Sequence, residues 1–156
     1  MKPNLLLAPL SLFLALEMTT AEANQGDQWY LQTSVYTTHF HPDPEHNNQQ
    51  NLIGLEYQGQ GGKVAGAATF RNSFSQRTQY AYVGKRFDSE STPFYAKVTG
   101  GLLQGYRGEY RDKIPFNRYG VAPAIIPSLG VKAGPVGAEM VLLGASAMMV
   151  NVGLYF

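Results

Sequence analysis

Eight short runs of alternating apolar and polar residues constrain the fold of this chain more than any other feature. A period of two residues is typical of a β-strand with one apolar face, and no useful helical period lies between the runs. Turn-forming stretches such as QGQGG, DSESTP and KAGP separate them. The runs lie at 28–40, 51–58, 63–73, 78–87, 94–106, 118–131, 136–143 and 147–156.

The amino-terminal residues indicate export. Lys2 precedes an apolar run at 5–16, and Ala21-Glu22-Ala23 has the small residues of a cleavage site. The apolar run is short for a membrane anchor, which is the alternative interpretation. We therefore predict a signal peptide at 1–23 and a single β domain at 24–156.

The direction of the side chains distinguishes a membrane barrel from a soluble one. In the last run Val150, Val152 and Leu154 share one face, opposite Asn151 and Tyr155. Eight runs, an export signal, no cysteine and a terminal aromatic residue predict an all-β fold, an eight-stranded antiparallel transmembrane β-barrel of the Gram-negative outer membrane. A soluble eight-stranded ligand carrier is the structural alternative.

Several charged residues fall on the inward face of these strands. Glu56, Lys97, Glu139 and Lys132 are expected to point inward, where opposite charges can pair. An eight-stranded barrel is filled by its own side chains, which disfavours a porin. The net charge of +1 gives no nucleic-acid footprint.

All three histidines, His39, His41 and His46, lie in the first predicted extracellular loop. They are candidate metal ligands, members of a solvated loop, or, for one of them, a catalytic base. Ser73 lies at the outer end of the third predicted strand. A histidine that accepts the proton of a serine hydroxyl is the minimum for acyl transfer. The alternative for Ser73 is an ordinary polar strand end.

Strict alternation separates these two residues. It places His39 on the lipid-facing side with Leu31 and Val35, whereas Ser73 faces inward. A β-bulge near the rim would bring both to the same side.

Pro123 and Pro127 lie within one predicted strand and lack the backbone donor of a strand ladder. They either bend or end that strand, or they weaken the barrel wall and mark a lateral gate for a lipid.

Four stretches resemble the lipid A palmitoyltransferases of Gram-negative outer membranes. These are FRNSF at 70–74, TTHF at 37–40, IPFNRYGVAPAIIPSLGVKAGPV at 114–136, and the aromatic closing strand. The resemblance covers most of the chain after the signal peptide, and its Gly-Pro-Val part is the most specific.

The resemblance implies an enzyme that moves a palmitoyl chain from a phospholipid donor to lipid A, as a monomer without metal or cofactor. It implies catalytic roles for His39 and Ser73, with Asn72 standing where the family has an aspartate. Because an amide carries no charge, the orienting role belongs to Asn72 or to an acid, namely Asp43, Glu45 or Asp112. Gly84 would be the glycine that sets the acyl-chain length.

Two other functions compete with acyl transfer. One is a non-enzymatic barrel with a structural or adhesive role, and the other is a lipid A deacylase on a similar barrel. The deacylase would release free fatty acid, whereas a barrel without activity would leave the lipids unchanged.

Overall fold

Eight antiparallel strands form a closed barrel in the computed structural model, which describes residues 26–117 and 119–156. Each strand pairs with its sequence neighbours, and β8 returns to β1, so the predicted fold is confirmed. The strands are β1 Gln28–His39, β2 Ile53–Gln58, β3 Lys63–Arg71, β4 Arg77–Asp88, β5 Phe94–Gln104, β6 Val121–Ala133, β7 Val136–Leu143 and β8 Ala147–Tyr155. The predicted signal peptide lies outside the described residues.

Helix is limited to two short 3-10 segments, Gln60–Gly62 and Gly108–Lys113. Within 26–117 and 119–156, no helix has the length and apolar character needed to cross a membrane. We call the end of the barrel with the segments 40–52, 72–76 and 105–120 the outer end, and the opposite end the inner end.

The outer wall is apolar and the interior is polar. Val83 and Ile125 face outward and are 66% and 77% exposed, whereas Glu56, Lys97 and Glu139 are buried inside. A soluble domain shows the reverse distribution, and an exposed apolar band around a polar interior is typical of a barrel that contacts lipid.

Buried ion pairs fill the inner half of the barrel. Lys97 Nζ lies 2.9 Å from Glu56 Oε2 and 2.7 Å from Glu139 Oε1. The hydroxyl of Tyr82 donates to Glu56 at 2.8 Å, and that of Tyr95 donates to Glu139 at 2.7 Å. These contacts confirm the prediction that the three charged residues point inward and pair.

Apolar side chains occupy the outer half, above this charged network. The cluster contains Leu52, Phe70, Tyr80, Tyr82, Val141 and Met149. A cavity of about 60 Å³ lies among them, with Lys97 and Glu139 of the network at its lining. The barrel interior therefore changes from apolar to charged along its axis.

Two strand ladders stop short of the outer end. The β1–β2 ladder ends at Thr33 and Ile53, and the β6–β7 ladder ends at Ser128 and Val141. The first opening is partly closed by Leu52, which donates its backbone N–H to Ser34 Oγ at 2.9 Å. The residues of β6 before Ser128 have no paired partner on β7.

A β-bulge in β1 corrects the strict alternation assumed for this strand. The register with β8 shifts between Ser34 and Tyr36. Val35 and Tyr36 consequently both face outward, at 58% and 57% exposure, while His39 is only 6% exposed. The extra residue reverses the direction in which the following side chains point, so His39 faces the interior and not the lipid.

Candidate active site

His39 and Ser73 meet at the outer end of the barrel. His39 is the last residue of β1, and Ser73 lies in the turn between β3 and β4. His39 Nε2 lies 2.7 Å from Ser73 Oγ, within hydrogen-bond distance. The bulge in β1 and the β3–β4 turn bring these two predicted residues into contact.

The other ring nitrogen of His39 contacts Asn48. Asn48 Oδ1 lies 2.5 Å from His39 Nδ1, and an amide oxygen only accepts hydrogen bonds. Nδ1 therefore carries the proton and donates, which leaves Nε2 free to accept the Ser73 hydroxyl proton. A serine, a general base and a group that fixes its tautomer form the arrangement used for nucleophilic acyl transfer.

Asn72 has a different role from the one expected. Its side chain is 1% exposed, and its Oδ1 accepts the backbone N–H groups of Phe74 at 2.9 Å and Gln76 at 3.1 Å. Its Nδ2 donates to Thr78 Oγ1 at 3.1 Å. The prediction that Asn72 orients His39 is corrected by these contacts, because Asn72 instead holds the turn that presents Ser73.

None of the three acidic residues considered for orienting His39 has that role. Asp43, Glu45 and Asp112 are exposed, and the position beside Nδ1 belongs to Asn48. Asn48 lies in the same polar loop as the histidines, and no spacing distinguishes it from Asn47 in the sequence.

Backbone hydrogen bonds dock the first loop on the Ser73 turn. The backbone N–H of Asn47 donates to Ser73 O at 2.7 Å, and that of Arg71 donates to Gln50 O at 2.7 Å. The main chain thus ties Asn47, the neighbour of Asn48, to Ser73.

Aromatic rings surround the pair. His46 stacks on His39 with ring centroids 4.3 Å apart, and Phe74 stacks on Tyr110 at 4.1 Å. Burial raises the pKa of the Tyr106 hydroxyl, and a hydrogen bond with the Ser73 side chain partly lowers it. Tyr106 is thus a second hydroxyl near Ser73, and no sequence pattern indicates it.

The histidines do not assemble a metal site. His41 is exposed and His46 stacks on His39. Among the residues that the structure describes, no group of three or more His, Cys, Asp or Glu side chains could hold a metal ion.

Gly84 lies outside the lining of the apolar cavity. It pairs with Val64 and Thr99, and a Cβ built on it would overlap the carbonyl oxygen of Val98. The glycine therefore permits a close approach of β4 to β5. The inner limit of the cavity is formed by Tyr82, Lys97 and other side chains of the charged network.

Pro123 and Pro127 both lie in the outer part of β6 that has no partner on β7. On the other side they are in register with Leu102 and Val98 of β5. The predicted gate residues thus lie beside the β6–β7 opening of the wall, next to the apolar half of the barrel.

Comparison with known proteins supports the fold. No family model matches the chain, and no curated protein matches it. A solved structure of a designed barrel ("De novo design of transmembrane beta-barrels") is similar, with a TM-score of 0.53 and 14% identity over 87% of this chain and 98% of the other. This similarity supports the barrel architecture alone and gives no information about the site.

Proposed function

We propose that the protein is an acyltransferase that moves a palmitoyl chain from a phospholipid to lipid A in the outer leaflet of a Gram-negative outer membrane. The contact of 2.7 Å between His39 Nε2 and Ser73 Oγ carries the proposal. The choice of palmitate and lipid A rests on the resemblance described above.

The chemistry follows from the protonation state of His39. Nε2 takes the hydroxyl proton as Ser73 Oγ attacks the ester carbonyl, and the departing lysophospholipid oxygen takes that proton back. A lipid A hydroxyl then attacks the acyl-serine, passes its proton through Nε2 to Ser73, and frees the enzyme. Asn48 keeps the imidazole in the reactive tautomer.

The apolar outer half of the barrel is the proposed site for the acyl chain. Its cavity of about 60 Å³ is much smaller than a palmitoyl chain, so the flexible Met149 and other lining side chains must move when the chain binds. The chain enters sideways, where β6 lacks a partner, because its donor lies in the membrane. Burying a methylene group against Lys97 and Glu139 is unfavourable, so the charged network limits the acyl length.

Mass spectrometry of lipid A tests the proposal. Cells that lack the protein are complemented with the native chain, Ser73→Ala or Ser91→Ala, and Ser91 is an exposed serine of the turn at the inner end. We expect the native chain and Ser91→Ala to add the mass of one palmitoyl group. Ser73→Ala should lower that product at least about 100-fold, because the nucleophile and its proton transfer are lost.

Folding of each variant is checked by gel electrophoresis, in which an unheated, folded barrel migrates differently from the heat-denatured chain. Unchanged lipid A with a folded native barrel would contradict the proposal in favour of a structural or adhesive role. Free fatty acid with a shortened lipid A would favour the deacylase instead.

A further inference from the structure

The β3–β4 ladder carries a pair of like charges at each of its ends. Arg71 lies opposite Arg77 at the outer end, and Lys63 lies opposite Lys85 at the inner end. All four side chains are exposed on the outside surface of the barrel. Like charges directly opposite each other destabilise a sheet, so a negatively charged ligand beside each pair would offset the repulsion.

The spacing of the two pairs matches the thickness of a membrane. The outward residues between them are mainly small and apolar, with Ala65, Ala67, Ala81 and Val83 at the centre. The eight residue-to-residue steps from Lys63 to Arg71 span about 27 Å along the strand. At the usual tilt of barrel strands this is a height of about 20 Å, close to the roughly 25 Å apolar band of membrane barrels. The arginine pair therefore lies at the headgroup layer of the outer side.

The two guanidinium groups have free donors. Arg71 Nη1 donates to Ser75 O at 3.0 Å, and Arg77 Nη1 donates to Thr69 Oγ1 at 3.1 Å. Across the described residues, neither forms an ion pair with a carboxylate. Each guanidinium carries five donor hydrogens, and its fork binds two oxygens of a phosphate at once.

A third arginine lies on the same side of the rim. The backbone N–H of Arg107 donates to Gln76 Oε1 at 3.0 Å, and Gln76 Nε2 donates to Arg107 O at 3.1 Å. Arg107 is exposed, and this pair of hydrogen bonds holds its backbone against Gln76, the chain neighbour of Arg77.

We propose that Arg71 and Arg77 form a binding site on the outer wall for the phosphomonoester of a glycolipid in the outer leaflet. A phosphomonoester carries close to two negative charges and three acceptor oxygens, which match two guanidinium groups. A phosphodiester carries one charge and would leave the pair half neutralised. The inference rests on the proposed outer-membrane location and not on acyl transfer, because neither arginine contacts His39 or Ser73.

Native mass spectrometry of the purified full-length mature chain in detergent tests this site. The protein is titrated with lipid A bearing phosphomonoesters, with the same lipid after phosphatase treatment, and with phosphatidylglycerol as a phosphodiester. We expect the native chain to bind phosphorylated lipid A at least tenfold more tightly than either of the other lipids. Arg71→Gln/Arg77→Gln should lose that preference.

Lys63→Gln/Lys85→Gln is the matched control, since it removes two charges from the other end of the same ladder. It should keep the preference of the native chain. An equal loss in both double variants would show general charge attraction, and equal binding of all three lipids by the native chain would also overturn the proposal. A cooperative transition on urea unfolding checks that each variant is folded.

The result is independent of the acyltransferase proposal. Ser73→Ala should bind phosphorylated lipid A as the native chain does. Loss of catalysis and loss of binding therefore fall on different variants, and either proposal can fail alone.

Discussion

The pairing of His39 with an amide sets the chemistry of the site. An aspartate in the place of Asn48 would stabilise a protonated imidazole by its charge, whereas Asn48 fixes only the tautomer through Nδ1. Asn48 does not touch Ser73, so it is a positioning residue and Ser73 and His39 are the groups proposed to react.

We predict that Asn48→Ala lowers kcat/KM for acyl transfer by roughly 10- to 100-fold, because a hydrogen bond to a group that becomes charged is lost. Asn48→Asp should restore the rate, since a carboxylate oxygen accepts the Nδ1 proton as the amide oxygen does. The measurement is the initial rate of transfer in mixed micelles.

Gln49→Ala is the control for Asn48, because Gln49 is an exposed neighbour in the same loop. It should leave the rate unchanged. Asn48→Ala with a native rate, or Asn48→Asp as slow as Asn48→Ala, would rule out a positioning role.

The strand count placed Ser73 and His39 at the same end of the predicted barrel, and the resemblance of FRNSF and TTHF to the acyltransferase family singled them out as candidates. The sequence did not identify Asn48 or Tyr106. Their contacts depend on how 40–52 and 105–120 fold over the rim, and no periodicity fixes the conformation of a loop.

The strands themselves follow closely from the period-two alternation, because each strand of a barrel has one lipid-facing and one inward face. A bulge near the rim was one way to bring His39 and Ser73 to the same side, but its position at Val35 did not follow, since one extra residue leaves no local signal when both bulged residues are apolar or aromatic. The prolines of β6 were found because they lack the ladder donor, and they lie where the β6–β7 ladder is absent.

Restoring donors to β6 should slow lipid entry. Pro123→Val/Pro127→Val adds two backbone N–H groups to the unpaired part of β6, and one new hydrogen bond of ~1 kcal/mol across the opening would slow phospholipid-dependent transfer roughly fivefold. Hydrolysis of a short, water-soluble ester should stay near native, because that ester reaches Ser73 through the loops. The measurement compares initial rates for the two substrates.

Pro135→Ala, in the exposed β6–β7 turn, tests whether loss of any proline has this effect. It should leave both rates unchanged. Equal slowing of both substrates in the double variant would mean a damaged active site, and no slowing of either would mean that lipid does not enter beside β6.

The whole barrel divides into an apolar outer half, which is the proposed site of the acyl chain, and a charged inner half. Lys97 holds two buried carboxylates together, and Tyr82 and Tyr95 donate to the same two groups. A buried cluster of this kind is sensitive to the loss of one partner, since the remaining charges are neither solvated nor paired.

We predict that Lys97→Met destabilises the barrel by about 3–5 kcal/mol, because it leaves Glu56 and Glu139 facing each other without a cation. Glu56→Gln/Lys97→Met/Glu139→Gln removes all three charges and should recover most of that loss. Lys85→Met, on the exposed wall, should change stability by less than about 0.5 kcal/mol. Reversible urea unfolding in lipid vesicles measures all three. A mild effect of Lys97→Met, or a triple variant as unstable as the single one, would show that packing and not charge pairing holds the inner half closed.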